Sequence, residues 1–168
     1  MTEIQFNKFN DMSENITIRS DDPRLDSLHF HPYRSIVERC VIAFTPEAGK
    51  KQTMEIVTPW GETLTAHAGD LIVSEVKAPD DYWPVRADIF DESYIITRPG
   101  FCIKRAHVHL APLAELTDGD EDAEVTVHSF EGPVTVRAGD FYLARGVKGE
   151  IWAYPRDKAE SLLALAEE

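Results

Sequence analysis

HAGDLIVSEV at residues 67–76 and RAGDFYLARG at residues 137–146 are two similar stretches of one chain. Each joins an Ala-Gly-Asp step to a run of β-branched, aromatic and aliphatic residues. Glycine leaves the backbone free to adopt positive φ, and an aspartate side chain can cap a turn. The pattern therefore predicts a tight corner that leads into a β-strand, once in each stretch. The predicted turn residues are Gly69, Asp70, Gly139 and Asp140.

The similarity continues on both sides of these two corners. Upstream, Arg39 aligns with Arg105 in the stretches RCVIAFTPEA and RAHVHLAPLA. Downstream, Pro84 aligns with Pro155, and an aromatic residue precedes each proline. Order and spacing agree over roughly 60 residues, which is typical of an internal repeat. The sequence therefore predicts a duplicated unit.

Strand patterns dominate both units. TMEIVT (53–58) and EVTVHS (124–129) alternate with a period of two and are rich in β-branched residues. Helix is predicted only for one or two turns within 84–94 and over 155–168, which begins with proline and has an apolar leucine side. The predicted fold is mainly β: two tandem small β-barrel or roll units related by pseudo-two-fold symmetry, with a C-terminal helix. The predicted organisation is an N-terminal arm or edge strand at 1–34, a first β repeat at 35–98, and a second β repeat with the C-terminal helix at 99–168.

The charge balance restricts the partners. The 168 residues include 17 basic and 30 acidic residues, a formal net charge of −13. Such a surface repels nucleic-acid phosphates and anionic membranes, so neither is an expected partner. The sequence shows no signal-peptide pattern and no apolar run long enough to span a bilayer. We expect a soluble cytoplasmic protein in which Cys40 and Cys102 are buried free thiols, a disulfide being the alternative.

A Gly-Asp turn, an apolar strand, an aromatic-Pro-Val step and a short segment with Phe and Tyr follow one another in the first unit. The residues are Gly69, Asp70, Trp83, Pro84, Val85, Ile89, Phe90 and Tyr94. In this pattern the chain resembles the PGDYG-type domain, a small domain found in bacterial and phage-encoded proteins. The second unit has a leucine-rich segment in place of Phe and Tyr, but keeps Gly139, Asp140, the turn at 146–150, Tyr154 and Pro155. The resemblance implies a shared fold in two copies and brings no established activity.

The motif HVH contains His107 and His109, which align with apolar residues of the first unit. Alternate residues of a strand share a face, so the pair could present two imidazoles beside Arg105. With His128 or Glu124 as a further ligand, this face could hold a divalent metal. Arg105 with protonated rings could instead bind an anion, and the third possibility is a solvated face.

Three classes of function remain open. No Gly-x-Ser-x-Gly, phosphate-binding loop or His-Glu-x-x-His motif is present, and His29 and His31 form a second candidate metal pair in a predicted loop. The aromatic-Pro steps that end at Pro84 and Pro155 could line a groove or close the core of each unit. The leading hypothesis is a non-enzymatic binding or adaptor module without a cofactor, whose partner is an unidentified protein or small molecule. The alternatives are a small metal-dependent cupin-like enzyme built on the HVH face, and an acidic inhibitor that imitates nucleic acid.

Overall fold

The computed structural model of the protein describes residues 15–166, which form fifteen β-strands and two short α-helices. The strands are β1 (Ile16–Ile18), β2 (His31–Ser35), β3 (Arg39–Ala43), β4 (Thr53–Val57), β5 (Thr63–His67), β6 (Leu71–Glu75), β7 (Tyr82–Val85), β8 (Tyr94–Arg98), β9 (Phe101–Lys104), β10 (Val108–Pro112), β11 (Glu124–Ser129), β12 (Gly132–Arg137), β13 (Phe141–Arg145), β14 (Ile151–Pro155) and β15 (Leu163–Leu165). The helices are α1 (Ala87–Ser93) and α2 (Arg156–Leu162), and 3₁₀ turns occupy Pro23–Ser27, Leu113–Thr117 and Ala138–Asp140. The fold is mainly β, as the alternating pattern predicts. Neither helix in 15–166 is long and apolar enough to cross a membrane.

The strands in the described part of the chain form four sheets. Sheet I has the order β7-β6-β3-β9-β8, and sheet II has the order β14-β13-β10-β2-β15. A three-stranded sheet, β1-β11-β12, and the hairpin β4–β5 complete the fold. β1 runs parallel to β11, and the other pairs are antiparallel. No closed barrel forms among these residues, because the outer strands of each five-stranded sheet do not pair with each other.

Strand pairing places the two aromatic-Pro steps differently from the sequence alignment. In sheet I, Ile72 pairs with Pro84, and at the same place in sheet II, Tyr142 pairs with Tyr154. Pro84 therefore lies opposite the second residue of β6, whereas Pro155 lies opposite Phe141, the first residue of β13. The alignment matched the prolines by residue type, whereas the register is fixed by the backbone hydrogen bonds of the strands.

Two strands lie in a sheet that is built mainly from the other half of the chain. β9 pairs with β3 and β8 in sheet I, although it falls within the predicted second repeat at 99–168. β2 pairs with β10 and β15 in sheet II, although it precedes the first repeat. The predicted boundary between residues 34 and 35 thus falls inside β2, which is an inner strand of sheet II. Neither of the two predicted repeats contains a complete five-stranded sheet.

The largest core lies between the three-stranded sheet and sheet II. On β11, Val125 and Val127 are fully buried and pair with Val136 and Val134 on β12. Alternate residues face the same side of a strand, so the pattern of EVTVHS places both valines in the core. Ile18 on β1 joins the same core, so the predicted edge strand is tied into the fold. Each such side chain contributes roughly 1.5–3 kcal/mol on burial.

The C-terminal helix is shorter than the prediction. The expected helix over 155–168 is limited to seven residues, because the chain leaves α2 at Leu163 and pairs with Ser35 as the first residue of β15. Leu163 and Leu165, predicted on an apolar helix side, therefore lie in a strand of sheet II, and Leu162 ends α2. Strand pairing outweighs local helix propensity here, since the propensity difference is only tenths of a kcal/mol per residue, about 0.7 at most. α1 lies within the predicted 84–94.

The first Ala-Gly-Asp corner has the geometry that its sequence predicts. Gly69 has φ of +95°, a conformation that residues with a side chain rarely adopt. The Asp70 carboxylate is buried and accepts a hydrogen bond of 2.8 Å from the His67 backbone N–H. The aspartate therefore caps the turn between β5 and β6.

The second corner uses glycine for a different reason. Gly139 lies in a 3₁₀ turn and does not have positive φ, but a Cβ at this position would lie 2.6 Å from the Glu121 Cβ. Asp140 binds the exposed Arg137 side chain at 2.8 Å instead of capping the backbone. The two corners thus share the Ala-Gly-Asp sequence, but their glycine and aspartate residues have different structural roles.

Valine at either glycine is expected to lower the free energy of unfolding by about 1–3 kcal/mol, through backbone strain at Gly69 and through overpacking at Gly139. Urea denaturation of Gly69→Val and Gly139→Val measures both effects. Gly139→Ala is expected to be nearly as harmful as Gly139→Val, because the clash begins at Cβ. Unchanged unfolding midpoints in all three variants would show that neither corner constrains the fold.

The two cysteines lie on neighbouring strands with free thiols, as predicted. Cys102 on β9 is buried, and Cys40 on β3 is partly buried. Desolvation raises the pKa of the Cys102 thiol to about 11. The Cys102 thiol is therefore protonated and unreactive at neutral pH.

Candidate functional site

A cavity of about 130 Å³ lies where sheets I and II meet the three-stranded sheet. Its aromatic walls come from Trp83, Tyr94, Trp152 and Tyr154, and three of the cations that line it are Arg39, Lys104 and Lys158. For scale, an engineered apolar cavity of about 150 Å³ accepts benzene. The cavity therefore has room for a ligand of a few non-hydrogen atoms.

Strand geometry places the aromatic walls. Trp152 and Tyr154 are alternate residues of β14, so they face the same side of the strand. Tyr94 is the first residue of β8, and its ring stacks on Phe90 of α1 with centroids 4.8 Å apart. Several residues that carry the resemblance to the PGDYG-type domain line the cavity: Trp83, Pro84, Val85, Ile89 and Tyr94.

Arg39 and Glu75 form a buried ion pair in the cavity wall. They lie opposite each other on β3 and β6, and the Arg39 Nε is 3.2 Å from each carboxylate oxygen. Their side chains are only 3% and 8% exposed. Arg39 also donates a hydrogen bond of 3.2 Å to the Ser35 hydroxyl on β2. This arginine therefore connects sheet I to sheet II.

Lys158 on α2 is the second cation of the wall. Its Nζ lies 3.2 Å from Glu75 and 3.0 Å from Asp81. The same Nζ lies 4.0 Å from the centre of the Trp83 ring and 5.6 Å from that of Tyr154. Two carboxylates thus balance two cations, the buried arginine and this lysine.

Lys104, the last residue of β9, differs from these two cations. Its Nζ lies 5.6 Å from the centre of the Tyr94 ring and 4.7 Å from that of Trp152. No carboxylate within residues 15–166 forms an ion pair with it. Desolvation, followed by the charge of Arg39, lowers the pKa of the Lys104 ammonium to about 8. Lys104 is therefore a cation of the cavity wall without a direct ion pair in the described part of the chain, and the charge of Glu150 acts on it from beyond ion-pair distance.

Tyr154 contributes a polar atom without a partner. Its hydroxyl is buried, and no donor or acceptor of the described residues forms a hydrogen bond with it. Burial also raises the pKa of the Tyr154 hydroxyl above its usual range, so the group stays protonated. A buried polar group normally has a partner, and a ligand in the cavity would supply one.

Two further carboxylates line the cavity, Glu131 and Glu150. Glu150 is buried and accepts a hydrogen bond of 2.8 Å from the Lys148 backbone N–H. Desolvation, followed by the negative charge of Asp70, raises the pKa of Glu131 to about 7. The Glu131 carbonyl accepts a 2.9 Å hydrogen bond from the Thr65 N–H, which joins the β11–β12 turn to the β4–β5 hairpin.

An open cleft of about 1270 Å³ adjoins the cavity. The residues that line both spaces are Trp60, Asp81, Pro155 and Lys158. Trp60 lies between β4 and β5, and its ring contacts Phe141 edge-on with centroids 5.5 Å apart. The cleft therefore provides a route for a small molecule from solvent to the cavity, past Trp60.

Of the predicted histidine face, His109 lies within a strand, and Arg105 and His107 precede that strand. Arg105 and His107 lie in the connection between β9 and β10, whereas His109 is the second residue of β10. The N–H groups of Arg105 and Ala106 donate to the Ser93 carbonyl at 2.8 and 3.1 Å, which ties the connection to α1 and interrupts the strand. Arg105, His107 and His109 are exposed and do not line the cavity.

The other predicted ligands are also separated. His128 lies opposite Pro133 in the three-stranded sheet, whereas His109 belongs to sheet II. The His29 N–H donates 2.8 Å to the Glu115 carboxylate. No group of three or more His, Cys, Asp or Glu side chains in residues 15–166 has the geometry to hold a metal ion. The described structure does not assemble either predicted set of metal ligands.

The sequence contained weak signals for the site that forms instead. The aromatic-Pro steps marked Trp83 and Tyr154 as residues of either a core or a groove, and both line the cavity. Arg39 was visible as one end of the aligned repeat. Lys104 was not distinguished, because a lysine that ends an apolar strand such as FCIK ordinarily extends its ammonium into solvent.

Comparison of the chain with family models, curated proteins and solved structures gives no match. The resemblance to the PGDYG-type domain therefore stays a prediction. What the protein does has to follow from the chemistry of its cavity.

Proposed function

We propose that the protein is a non-enzymatic binding protein that takes up a small carboxylate in the cavity beside Lys104. The observation that carries this proposal is the ammonium of Lys104, which lines the cavity without a carboxylate partner among the described residues. A buried charge is costly unless it is paired. A bound carboxylate would supply the missing negative charge.

The cavity favours a small monoanion. A volume of about 130 Å³ accommodates a few non-hydrogen atoms and leaves no room for a nucleotide. Glu75 and Asp81 form ion pairs with Arg39 and Lys158, whereas Lys104 has no ion pair among the described residues. Glu131 and Glu150 also line the cavity and would repel a second negative charge on the ligand.

The aromatic walls favour a ligand with a planar group, such as a carboxylate. Trp152 and Tyr94 both lie close to the Lys104 ammonium, and rings of this kind stack on planar groups. The unpaired Tyr154 hydroxyl adds one hydrogen-bond donor for an oxygen of the ligand. A short-chain acid, whose carboxylate group is planar, meets all three conditions.

The alternative functions have less support. The histidines proposed for a cupin-like metal site, His107, His109 and His128, do not line the cavity. An inhibitor that imitates nucleic acid would be supported by the net charge alone. The cavity offers a built site for a ligand, so binding of a small molecule remains the preferred function.

We also propose that the chain arose by duplication of one β unit. Support comes from the matching strand order of sheets I and II. Paired residues of sheet I also correspond to paired residues of sheet II at a constant distance along the sequence. For example, Leu71 pairs with Val85 in sheet I, and Phe141 pairs with Pro155 in sheet II. Each unit also gives one strand to the sheet of the other unit: β2 pairs with β10, and β9 pairs with β3 at the corresponding position. On this proposal the two copies have diverged at the cavity wall, since His109 occupies the place of Arg39.

Replacement of Lys104 by methionine is expected to weaken binding of L-lactate about 10–100-fold, because a charge-assisted hydrogen bond contributes about 1.5–3 kcal/mol. Isothermal titration calorimetry with the wild type and Lys104→Met measures this difference. Lys148→Met is the matched control, because Lys148 is exposed and forms its ion pair with Glu92 outside the cavity. Equal affinity in the wild type and Lys104→Met, or no heat of binding in either, would contradict the proposal.

A further inference from the structure

Lys104 is chemically unlike the other lysine of the cavity. Lys158 is held between Glu75 and Asp81, so its ammonium already has two carboxylate partners. Lys104 has no such partner among residues 15–166, and aromatic rings and the guanidinium of Arg39 surround it instead. A lysine that is desolvated beside another cation is the arrangement that makes an amine nucleophilic.

We infer that Lys104 captures a small 2-oxo acid as a reversible imine, with the carboxylate of the ligand held in the same cavity. This inference rests on the proposed function and narrows its ligand class from carboxylates to those with an adjacent carbonyl. The carbonyl supplies the electrophile, and the neighbouring carboxylate supplies the charge that draws the molecule to the site.

The reaction is balanced without a further reagent. The lone pair of the neutral Lys104 amine attacks the carbonyl carbon, and the carbonyl oxygen takes up a proton to give a carbinolamine. Loss of that oxygen as water, with protons derived from the amine and the solvent, leaves a C=N bond to Nζ. A proton on this nitrogen restores the positive charge, so the ion pair with the ligand carboxylate is retained. The reverse reaction with water releases the ligand.

Other groups of the cavity suit this chemistry. The Tyr154 hydroxyl is protonated, buried and without a hydrogen-bond partner in the described residues, so it can donate to an oxygen of the bound acid. Tyr94 lies opposite Lys104 in the β8–β9 pair, and its ring lies against the reacting nitrogen. Trp60 lines both the cavity and the open cleft, so the pyruvate and the water of the reaction can enter and leave on this side.

The test is reductive trapping with pyruvate and sodium cyanoborohydride, followed by intact-mass analysis and peptide mapping. L-Lactate, which has the same number of non-hydrogen atoms but no carbonyl, is the parallel control. We expect one reduced pyruvate adduct per chain, located on the peptide that contains Lys104, and no adduct with lactate. Lys148→Met is expected to trap pyruvate like the wild type, whereas Lys104→Arg is expected to lose the adduct.

The outcomes separate this inference from the proposed function. If lactate binds in calorimetry and pyruvate leaves no adduct on Lys104, the imine is wrong and carboxylate binding stands. If neither acid binds, both proposals fail. An adduct spread evenly over exposed lysines such as Lys148 would also overturn the inference. An adduct confined to Lys104 and absent from Lys104→Arg supports it.

Discussion

Replacement of Arg39 by methionine is expected to lower the free energy of unfolding by about 3–5 kcal/mol, because it leaves a buried carboxylate short of its partner. Arg39 is 3% exposed and contacts both oxygens of Glu75 at 3.2 Å. The substitution also removes the hydrogen bond to Ser35 that connects the two five-stranded sheets. Lys158 still contacts Glu75, so the lower end of this range is the expected value. Urea denaturation measures the loss.

Two further variants show whether burial is the cause. Arg137→Met removes an arginine that binds Asp122 and Asp140 at the surface, where ion pairs contribute about 0–1 kcal/mol. The double variant Arg39→Met/Glu75→Leu removes both buried charges and is expected to recover much of the stability, as buried pairs replaced by apolar residues often do. A loss in Arg39→Met no greater than that in Arg137→Met would refute the assignment of this pair as a buried structural element.

Replacement of Glu131 by glutamine is expected to stabilise the protein by about 2–3 kcal/mol at pH 8 and to have little effect at pH 4. Desolvation, followed by the charge of Asp70, raises the pKa of Glu131 to about 7 from its usual value near 4.5. The folded state therefore holds this proton more tightly than the unfolded state, and the wild type loses stability as the pH rises from about 4.5 to about 7. One pKa unit corresponds to about 1.4 kcal/mol, which sets the magnitude.

The measurement is the free energy of unfolding of the wild type and Glu131→Gln across this pH range. Glu55→Gln is the matched control, since Glu55 is an exposed carboxylate on β4. The difference between Glu131→Gln and the wild type should grow with pH and level off above pH 7. A difference that is constant with pH would mean that the Glu131 carboxylate does not titrate differently in the folded and unfolded states.

The strand content could be predicted from the sequence because alternation is a local property. EVTVHS places Val125 and Val127 in the core, and both are fully buried. The exchange of β2 and β9 between sheets could not be predicted in this way. β2 reads HPYRS, with a proline and little alternation, and its partners β10 and β15 lie far along the chain. Pairing between strands that are far apart in the sequence depends on tertiary packing, and the sequence of a short strand contains little information about its partner.

The candidate site was harder to predict than the fold. Trp83 and Tyr154 were visible in the aromatic-Pro steps, but the sequence left open whether they close a core or line a groove. The environment of Lys104 depends on the rings of Tyr94 on β8 and Trp152 on β14. These residues are distant from Lys104 or not linked to it by a sequence motif, so the sequence does not predict the contact. In the HVH motif, His107 precedes β10 and His109 lies within it, because the bonds of Arg105 and Ala106 to Ser93 hold the preceding connection. A two-residue spacing predicts a shared face only if the strand is continuous.

The central claim is that the cavity beside Lys104 binds a small carboxylate, and a crystal structure of the protein with saturating L-lactate tests it most directly. The account predicts one lactate molecule within the aromatic walls, with a carboxylate oxygen about 2.7–2.9 Å from the Lys104 Nζ. The Tyr154 hydroxyl is expected to gain a hydrogen bond to the ligand or to a water beside it. An empty or water-filled cavity at saturating lactate, or lactate bound only elsewhere on the surface, would contradict the account.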